Sequence, residues 1–493
     1  MKISKDIIVI GGGLAGMSAA AYLAKYGYSV KLIEKNDTLG GRCRVIEEQG
    51  FKFDLGPSWY WMPDVFEKFF NDFNYTTEDF YNNILLDPGF EIVFDNQEKL
   101  TVPADIKELY TVFESIEKGS AEKLKQFLNE AELKYKIAMN EIVYKPFISV
   151  RELFDKRLIL NLPKMSVFTS MRKYVRSYFK DKKLRKLMEF PVIFLGGMPK
   201  DIPALYSLMN YSAFVQGTWY PKGGMYEIVK AIQKILNQYN VEIFTNESVE
   251  KLIIKNNKIE KVVTNKKEFS VDVVVAAADY HYVDRVLLGN EYSNYSERYW
   301  DKRFLAPSAL LFYIGLNTKV PKLTHHTLFF DADFEQHSKD IYDHPKWPDN
   351  PLFYLSCTSK TDDNVAPKHG ENLVVLIPIA SGIKDNPEKK EYYFNNIIQR
   401  LKKHTGIDIT NHIVYRKSYS VSNFIEDYNS FKGNAYGLAN TLLQTANLKP
   451  SMLNKKVKNL VYAGQLTVPG PGVPPALISG KIAASLIQNY LKI

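Results

Sequence analysis

The chain has 493 residues, of which 45% are hydrophobic and 24% charged, and these ordinary globular values exclude wholesale disorder. Its two cysteines, Cys43 and Cys357, exclude a disulfide framework and fit a reducing compartment. The net charge of +9 leaves nucleic acid, an anionic membrane and an anionic substrate open as partners.

The chain begins with a pattern of strand, glycine turn, helix and strand. Residues 6–10 predict a buried strand, a helix of small residues follows to about Gly27, and residues 30–34 predict a second strand. A glycine-rich turn between a strand and a helix is typical of a dinucleotide site, because the helix N-terminus offers free N–H groups to phosphates.

Three glycines occupy this turn, as Gly11-x-Gly13-x-x-Gly16. The first permits the tight turn, the second lets the backbone approach a pyrophosphate, and the third lets helix and strand pack closely. Glu34 ends the second strand, where its carboxylate can accept hydrogen bonds from ribose hydroxyls. The predicted dinucleotide-binding residues in this part of the chain are Gly11, Gly13, Leu14, Ala15, Gly16, Glu34 and Lys35.

The rest of the chain alternates between helical and strand-rich parts. Residues 65–190 are mostly helical in pattern, as in the amphipathic run 121–139. Several β runs between residues 305 and 380 predict an antiparallel sheet. Further strands are predicted at 241–245, 249–254, 259–264, 271–277 and 459–463, and a last helix at 475–491.

These patterns predict an α/β fold with a Rossmann-like nucleotide-binding domain that is interleaved with other parts. That domain is predicted to be discontinuous, with residues 1–75, 216–290 and 440–493. Residues 76–215 are predicted to form a helical region that contacts substrate or membrane, and residues 291–439 a substrate domain with the antiparallel sheet.

Two segments after the second strand indicate which dinucleotide is bound. Leu39-Gly40-Gly41-Arg42 and Phe53-Asp54-Leu55-Gly56-Pro57-Ser58 resemble the flavin-containing amine oxidase and phytoene desaturase superfamily. The resemblance implies FAD, with glycine backbone at the diphosphate and the arginine near the flavin. A nicotinamide dehydrogenase has no reason to carry this second element. The residues that the resemblance adds to the FAD site here are Gly41, Arg42, Gly56, Pro57 and Ser58.

Distant segments share the resemblance. Residues 219–225 match the family's P-x-GG turn, and Val249 matches the position whose backbone contacts adenine. Residues 459–480 resemble the C-terminal signature of bacterial-type phytoene desaturases, which implies that Gly464, Gly472 and Val473 approach the flavin and its ribityl chain. Within this signature Gln465, Leu466 and Val468 depart from the usual pattern, and so does Pro471.

The resemblance extends over nearly the whole chain and is closest to lycopene-forming enzymes of the flavobacterial type. It implies four successive desaturations of phytoene to lycopene in carotenoid biosynthesis, with hydride transfer to FAD and reoxidation by oxygen or a quinone. Desaturases of C30 diapophytoene and carotenoid isomerases remain alternatives. A flavin amine oxidase or protoporphyrinogen oxidase, and a flavin-free prenyl-protein binding module, are more distant ones.

No catalytic residue is assigned by the sequence. An apolar polyene requires neither a metal nor a catalytic dyad, since the cofactor carries the difficult step. Carboxylates or aromatic faces could stabilise positive charge that develops on the substrate. The polar side chains considered for contact with the reacting carbons are Asp54, Arg151, His326 and Asp349.

A basic segment points to a membrane surface. Between residues 172 and 186 eight cations face one acid, Asp181, with aromatic residues interleaved. This composition suits an anionic bilayer, although a solvated helix face has the same ingredients. No apolar run is long enough to predict a spanning helix. We therefore expect a cytoplasmic protein that associates peripherally with the inner face of the cell membrane and binds no nucleic acid.

Overall fold

The computed structural model describes residues 5–95, 97–149, 151–152 and 156–490. Its strands are β1 (Asp6–Ile10), β2 (Ser29–Ile33), β3 (Val45–Glu48), β4 (Phe51–Asp54), β5 (Asn83–Leu85), β6 (Phe90–Phe94), β7 (Lys99–Val102), β8 (Trp219–Pro221), β9 (Glu242–Phe244), β10 (Val249–Lys255), β11 (Lys258–Thr264), β12 (Glu268–Ser270), β13 (Val273–Ala276), β14 (Ser308–Leu316), β15 (His326–Phe330), β16 (Phe353–Ser356), β17 (Glu371–Ile379), β18 (Ile413–Tyr419) and β19 (Leu460–Tyr462).

The α-helices of the same ranges connect and cover these strands. They are α1 (Leu14–Lys25), α2 (Pro63–Asn71), α3 (Ile106–Ile116), α4 (Ser120–Glu141), α5 (Lys156–Asn161), α6 (Met171–Tyr178), α7 (Lys182–Glu189), α8 (Leu208–Tyr211), α9 (Tyr226–Gln238), α10 (Gly289–Tyr292), α11 (Glu297–Asp301), α12 (Phe334–Tyr342), α13 (Pro387–Thr405), α14 (Val421–Tyr428) and α15 (Val473–Tyr490).

A five-stranded parallel sheet brings the two ends of the chain together. Its order is β19-β13-β1-β2-β9, so the N-terminal strand lies at the centre and the C-terminal strand at one edge. Helix α1 packs on α15, where the Ser18 hydroxyl donates to the Leu477 carbonyl at 2.7 Å. Gly480 permits this approach, because a Cβ there would lie 2.4 Å from the Ala15 carbonyl oxygen. The predicted interleaved α/β fold is confirmed.

A seven-stranded sheet forms the other half of the molecule, in the order β18-β14-β17-β16-β15-β6-β7. Neighbouring strands are antiparallel except β15 and β6, which run parallel. Residues 83–102 were expected within a helical region, yet they form β5, β6 and β7. The longer helices of that region begin only with α3 at Ile106. The prediction is wrong for these residues because β6 is stabilised by pairing with β15, more than 200 residues away in sequence, which a local pattern does not indicate.

One face of the antiparallel sheet carries a cross-strand row of side chains. Leu311 pairs with Leu376, Leu376 with Tyr354, and Tyr354 with Leu328. Directly opposed residues on neighbouring strands point to the same face. This row therefore forms one continuous surface, and all four residues line the cavity described below.

No helix in the described part of the chain combines the length and the apolar character needed to cross a bilayer.

Candidate functional site

A cavity of about 470 Å³ lies between the parallel sheet and the antiparallel sheet. At one end it is bordered by the β1–α1 turn, the end of β2 and the start of α15. At the other end it is bordered by the cross-strand row and by α12. These two parts are called the nucleotide half and the substrate half of the cavity below, and together they form one continuous space.

The β1–α1 turn supplies an anion site to the nucleotide half. Gly11 has a φ of +102°, and a Cβ there would lie 2.7 Å from the Ala278 backbone nitrogen. Gly13 is the N-cap of α1 and no side chain caps the helix, so its N-terminus at Leu14 and Ala15 can face a phosphate directly. Gly16 does not line the cavity; its Cβ would lie 1.9 Å from the Gly11 carbonyl oxygen. It packs helix against strand, as its position in the motif predicts.

Glu34 is held in place by the backbone. One carboxylate oxygen accepts from the Gly12 N–H at 2.7 Å, and the other accepts from the Asn36 N–H at 2.9 Å. The side chain is only 5% exposed and lines the cavity beside Lys35. The Asn36 side-chain amide also donates to the second of these oxygens at 2.9 Å, so the oxygen beside Gly12 is the one with a lone pair available to a hydroxyl group of a bound ribose. Val249, at the start of β10, borders the same part of the cavity.

Arg42 lines the cavity in a buried position. Its guanidinium lies 4.8 Å from the ring centre of Tyr428, and Nη2 donates to the Ser430 hydroxyl at 3.1 Å. Burial lowers the pKa of Arg42, and the negative charge of Asp279 offsets part of that shift. The Nε atom is buried and has no hydrogen-bond partner among the described residues. A buried guanidinium with a spare donor fits a site that awaits acceptor atoms of a ligand.

The remaining predicted cofactor residues lie on segments that converge on the same space. Gly56 packs against Arg42, since a Cβ would lie 2.5 Å from the Arg42 carbonyl oxygen. Gly464 and Gly472 border the cavity with their backbone, since glycine has no side chain. Their φ values of +115° and +121° lie in a region that other residues rarely adopt. Apart from Gly16, every predicted cofactor residue borders this one cavity, including Gly41, Pro57, Ser58 and Val473.

The substrate half is strongly apolar. Among the described residues of 190–209 and 307–378, those that line the cavity include no lysine, arginine, aspartate or glutamate. Its titratable side chains other than tyrosine reduce to His337, which accepts from the Leu352 N–H and bonds the Pro378 carbonyl, and whose pKa burial lowers to about 4. The large apolar side chains here are Phe190, Leu195, Met198, Met209, Leu311, Leu328, Phe330, Phe334, Ile341, Leu352 and Leu376.

The four polar side chains considered for catalysis do not meet at one point. Asp349 is 76% exposed and pairs with Lys346 at 2.8 Å, and Arg151 is exposed. Neither borders the cavity. Asp54 is buried and accepts from the Met225 N–H at 2.9 Å; burial raises its pKa to about 6. It supports the turn before α9 and does not border the cavity either.

His326 does not border the cavity itself but contacts two residues that do. Its ring stacks on Trp59 with 4.2 Å between the ring centres, and its Nδ1 lies 2.6 Å from the Tyr354 hydroxyl. Trp59 and Tyr354 both border the cavity. Burial lowers the pKa of His326 well below its usual value, so the ring is neutral. His326 therefore supports the cavity wall by holding these two aromatic residues, and its own ring does not reach the cavity.

Asp279 and Tyr428 border the cavity and were not predicted from the sequence. Asp279 follows β13, and side chains at the carboxyl end of a parallel strand are a general signal for a binding site. That signal could have identified it. Tyr428 ends α14 in the other half of the chain, and nothing in its local sequence indicates that it stacks on Arg42.

The described residues contain no cluster of histidine, cysteine, aspartate or glutamate side chains that could hold a metal ion. The nucleotide half instead combines two helix N-termini, a buried carboxylate and positive-φ glycines around one cavity. Such a parallel-sheet domain, joined to a second domain across the cavity, defines the class of dinucleotide-binding proteins.

Comparison with known proteins gives the family. The profile of the flavin containing amine oxidoreductases matches residues 14–488, and the chain belongs to this family. A carotenoid 3,4-desaturase of Haloarcula japonica is 40% identical over 487 residues, with 98% of each chain covered. A 4,4'-diapophytoene desaturase of Staphylococcus haemolyticus is 31% identical, with 99% of each chain covered. A zeta-carotene-forming phytoene desaturase of Myxococcus xanthus is 27% identical, with 99% of this chain and 94% of that one covered.

Solved structures agree on the fold. An oxidoreductase of Methanosarcina mazei has a TM-score of 0.64 at 15% identity, with 98% of this chain and 100% of the other covered. Wild-type putrescine oxidase bound to putrescine has a TM-score of 0.63 at 12% identity, with 99% of both chains covered. The chain is thus a flavin-dependent oxidoreductase of the carotenoid desaturase kind, and its cofactor is FAD.

Proposed function

We propose that the protein converts 15-cis-phytoene to all-trans-lycopene by successive dehydrogenation. The observation that carries this proposal is the substrate half of the cavity, which is apolar and continuous with the nucleotide half. A hydrocarbon has no polar group to bind, so such a wall can hold and align it through apolar contact alone. A charged amine would lack a counter-ion among the described residues of this half.

Bound FAD supplies a hydride acceptor, and each desaturation also releases one proton from the neighbouring carbon. The protein's part is to align the chain and to stabilise positive charge on it. No carboxylate lines the substrate half in the described ranges, so aromatic faces are the available groups. Trp59 and Trp61 border the cavity with ring centres 5.0 Å apart, and Tyr354 lies 5.4 Å from Trp59. The apolar wall also excludes water from the reacting carbons.

A second candidate is 3,4-desaturation of a carotenoid that is already conjugated. The relative of Haloarcula japonica, with 40% identity over nearly the whole chain, favours it. The two reactions share their chemistry and differ in the substrate that the cavity accepts. An assay with both substrates separates them.

The assay uses the purified holoprotein and liposomes that contain 15-cis-phytoene, lycopene or C30 diapophytoene, with oxygen or a quinone as electron acceptor. We expect lycopene to accumulate from phytoene, identified by chromatography and by its absorption spectrum, and no change in liposomes that lack the protein. Conversion of lycopene alone would establish 3,4-desaturation in its place. Conversion of C30 diapophytoene alone, or a cis/trans change without loss of hydrogen, would equally contradict the proposal.

We also propose that the protein docks on the cytoplasmic face of the membrane, from which a hydrocarbon substrate must come. Four of the eight cations in the basic segment are engaged within the protein: Arg172 pairs with Glu335, Lys183 pairs with Glu98, Arg185 donates to the Phe179 carbonyl, and Lys186 lies over the Phe94 ring. The other four are exposed, and they are Lys173, Arg176, Lys180 and Lys182.

Phe168 precedes the basic segment by four residues and is one of three strongly exposed apolar side chains among the described residues. Phe168 is 88% exposed and Leu160 is 75% exposed. The Ala204 N–H donates to the carbonyl of Thr169, the residue next to Phe168. Tyr206 in turn contacts Thr445, and Leu443, two residues before it, is 76% exposed. Apolar side chains beside cations match the chemistry of an anionic bilayer surface.

Co-sedimentation with vesicles tests the docking proposal. Phe168→Asp should weaken binding to anionic vesicles by about 30-fold or more, because it removes roughly 2 kcal/mol of apolar burial and adds a repelled charge. Tyr392→Asp, at a 52% exposed position on α13, is the matched control and should bind like the wild type. Equal binding of the wild type and Phe168→Asp would rule this surface out.

A further inference from the structure

Tyr354 links the substrate half of the cavity to a buried histidine. It belongs to the cross-strand row and borders the cavity. Its hydroxyl oxygen lies 2.6 Å from the Nδ1 atom of His326. Burial raises the pKa of Tyr354, and the hydroxyl of Ser58, a residue that also borders the cavity, is among the neighbours that offset part of this rise. The Tyr354 hydroxyl is therefore close both to a predicted cofactor residue and to a buried imidazole.

His326 has the properties of a proton acceptor that is shielded from solvent. Its ring is neutral, because burial and, to a smaller extent, the neighbouring His325 lower its pKa well below the usual value. The Nε2 atom is buried and has no hydrogen-bond partner within the described ranges. The ring lies parallel to that of Trp59, with 4.2 Å between the ring centres and 14° between the planes. The face of Trp59 is thus placed to stabilise the ring once it carries a positive charge.

The other histidine of the substrate half is already committed. His337 borders the cavity, but its Nδ1 accepts from the Leu352 N–H at 3.0 Å and its Nε2 bonds the Pro378 carbonyl at 2.9 Å. Both of its ring nitrogens are therefore engaged by the backbone. Since no carboxylate lines this half in the described ranges, a proton released there has His326, behind Tyr354, as its histidine acceptor.

We propose that Tyr354 and His326 form a relay that takes up the proton released in each desaturation. The inference rests on the proposed desaturation, but not on which carotenoid is desaturated. One carbon of the hydrocarbon loses a hydride, with both bonding electrons, to the bound FAD. The neighbouring carbon then loses a proton, and the electrons of that C–H bond form the new double bond. The proton passes to the Tyr354 oxygen while the hydroxyl proton of Tyr354 moves to the unprotonated Nδ1 of His326.

The low basicity of His326 suits this step. A C–H bond next to a carbocation is a strong acid, so even a weak base takes up its proton. Between turnovers the neutral ring places no unpaired charge behind the apolar wall. The proton balance closes when oxygen or a quinone reoxidises the cofactor, because that acceptor takes up the two electrons of the hydride together with both protons.

The test is a single anaerobic turnover of the holoprotein with liposomes that contain 15-cis-phytoene or lycopene. The first dehydrogenated product is measured by chromatography after rapid quenching. Tyr354→Phe should slow its formation about 100-fold, because it removes the oxygen that passes the proton on and keeps the ring. Tyr393→Phe is the matched control and should react at the wild-type rate, since Tyr393 is a buried tyrosine away from the cavity whose hydroxyl donates to the Pro348 carbonyl.

His326→Asn separates proton uptake from mere positioning. Its Oδ1 can accept from the Tyr354 hydroxyl as Nδ1 does, but an amide does not take up the proton, so we expect a loss of rate similar to that of Tyr354→Phe. A rate in His326→Asn equal to that of Tyr393→Phe, with flavin fully bound, would overturn the relay. If the wild type dehydrogenated neither carotenoid, the proposed desaturation itself would be contradicted, and the relay with it.

A measurement without substrate checks the direction of the hydrogen bond. In the holoprotein with isotope-labelled histidine, nitrogen NMR should show the Nδ1 of His326 unprotonated, with the signal identified by its absence from His326→Asn. A proton found on Nδ1 would mean that the ring donates to Tyr354, and the relay would be excluded.

Discussion

Replacing Gly13 with alanine should leave the protein folded but almost unable to hold FAD. The residue has an extended backbone with φ of −71°, which alanine adopts without strain. An added Cβ would meet only the Gly41 Cα, at 3.9 Å, so the protein itself has room for it. The methyl group would instead occupy the space through which the pyrophosphate approaches the backbone. We expect the FAD affinity to fall about 100-fold, equivalent to ~2.7 kcal/mol, in a flavin titration.

Gly16→Ala is the matched comparison within the same motif. Its Cβ would lie 1.9 Å from the Gly11 carbonyl oxygen and 3.1 Å from the Ala277 Cβ, so strand and helix must separate. We expect this variant to lose its cooperative thermal transition in circular dichroism, whereas Gly13→Ala keeps a melting temperature close to that of the apo wild type. Tight FAD binding by Gly13→Ala would show that the pyrophosphate does not pass this residue.

The nucleotide half was predictable because its chemistry is local. Gly11, Gly13 and Gly16 lie within one strand–turn–helix unit, and their spacing therefore predicts the strand, the turn and the helix together. The C-terminal signature is equally local, with Gly464 and Gly472 at positive φ. The contact of Tyr428 with Arg42 could not be predicted from local sequence, because nearly 400 residues separate the two.

Three of the four departures within the C-terminal signature, at Gln465, Leu466 and Val468, have a place in the packing of the protein. Leu466 and Val468 are 2% and 4% exposed and pack inside the protein. Gln465 borders the cavity, and its amide donates to the Asn434 Oδ1 at 3.1 Å. Asn434 in turn accepts from Arg42 through its carbonyl oxygen. Gln465 therefore extends the network that holds Arg42, and the atypical residues are compatible with the FAD site.

The basic segment shows the limit of composition as a guide. Its eight cations share one stretch of sequence, but α6 and α7 direct them differently, so Arg172 reaches Glu335 while Arg176 stays exposed. Partners for such side chains come from distant segments. The direction of each side chain on α6 is set by the buried residues of that helix, Met171, Tyr174 and Val175. A count of charges in the sequence does not contain this information.

Filling the substrate half should abolish carotenoid turnover without affecting FAD. Leu376 lies in the middle of the cross-strand row, between Leu311 and Tyr354, and borders the cavity. In Leu376→Trp the indole would project from the sheet into the space that the hydrocarbon needs. We expect phytoene conversion to fall at least tenfold, since a displaced apolar contact costs ~1.4 kcal/mol or more, while flavin content stays at the wild-type level.

Leu376→Met is the control, because methionine has nearly the same volume and adapts to an apolar wall. It should retain most of the activity. The pair of variants separates the two halves of the cavity, since flavin absorbance reports on one and product formation on the other. If Leu376→Trp converted phytoene at the rate of Leu376→Met, the polyene would have to bind elsewhere, and the apolar row on the antiparallel sheet would be only part of the core.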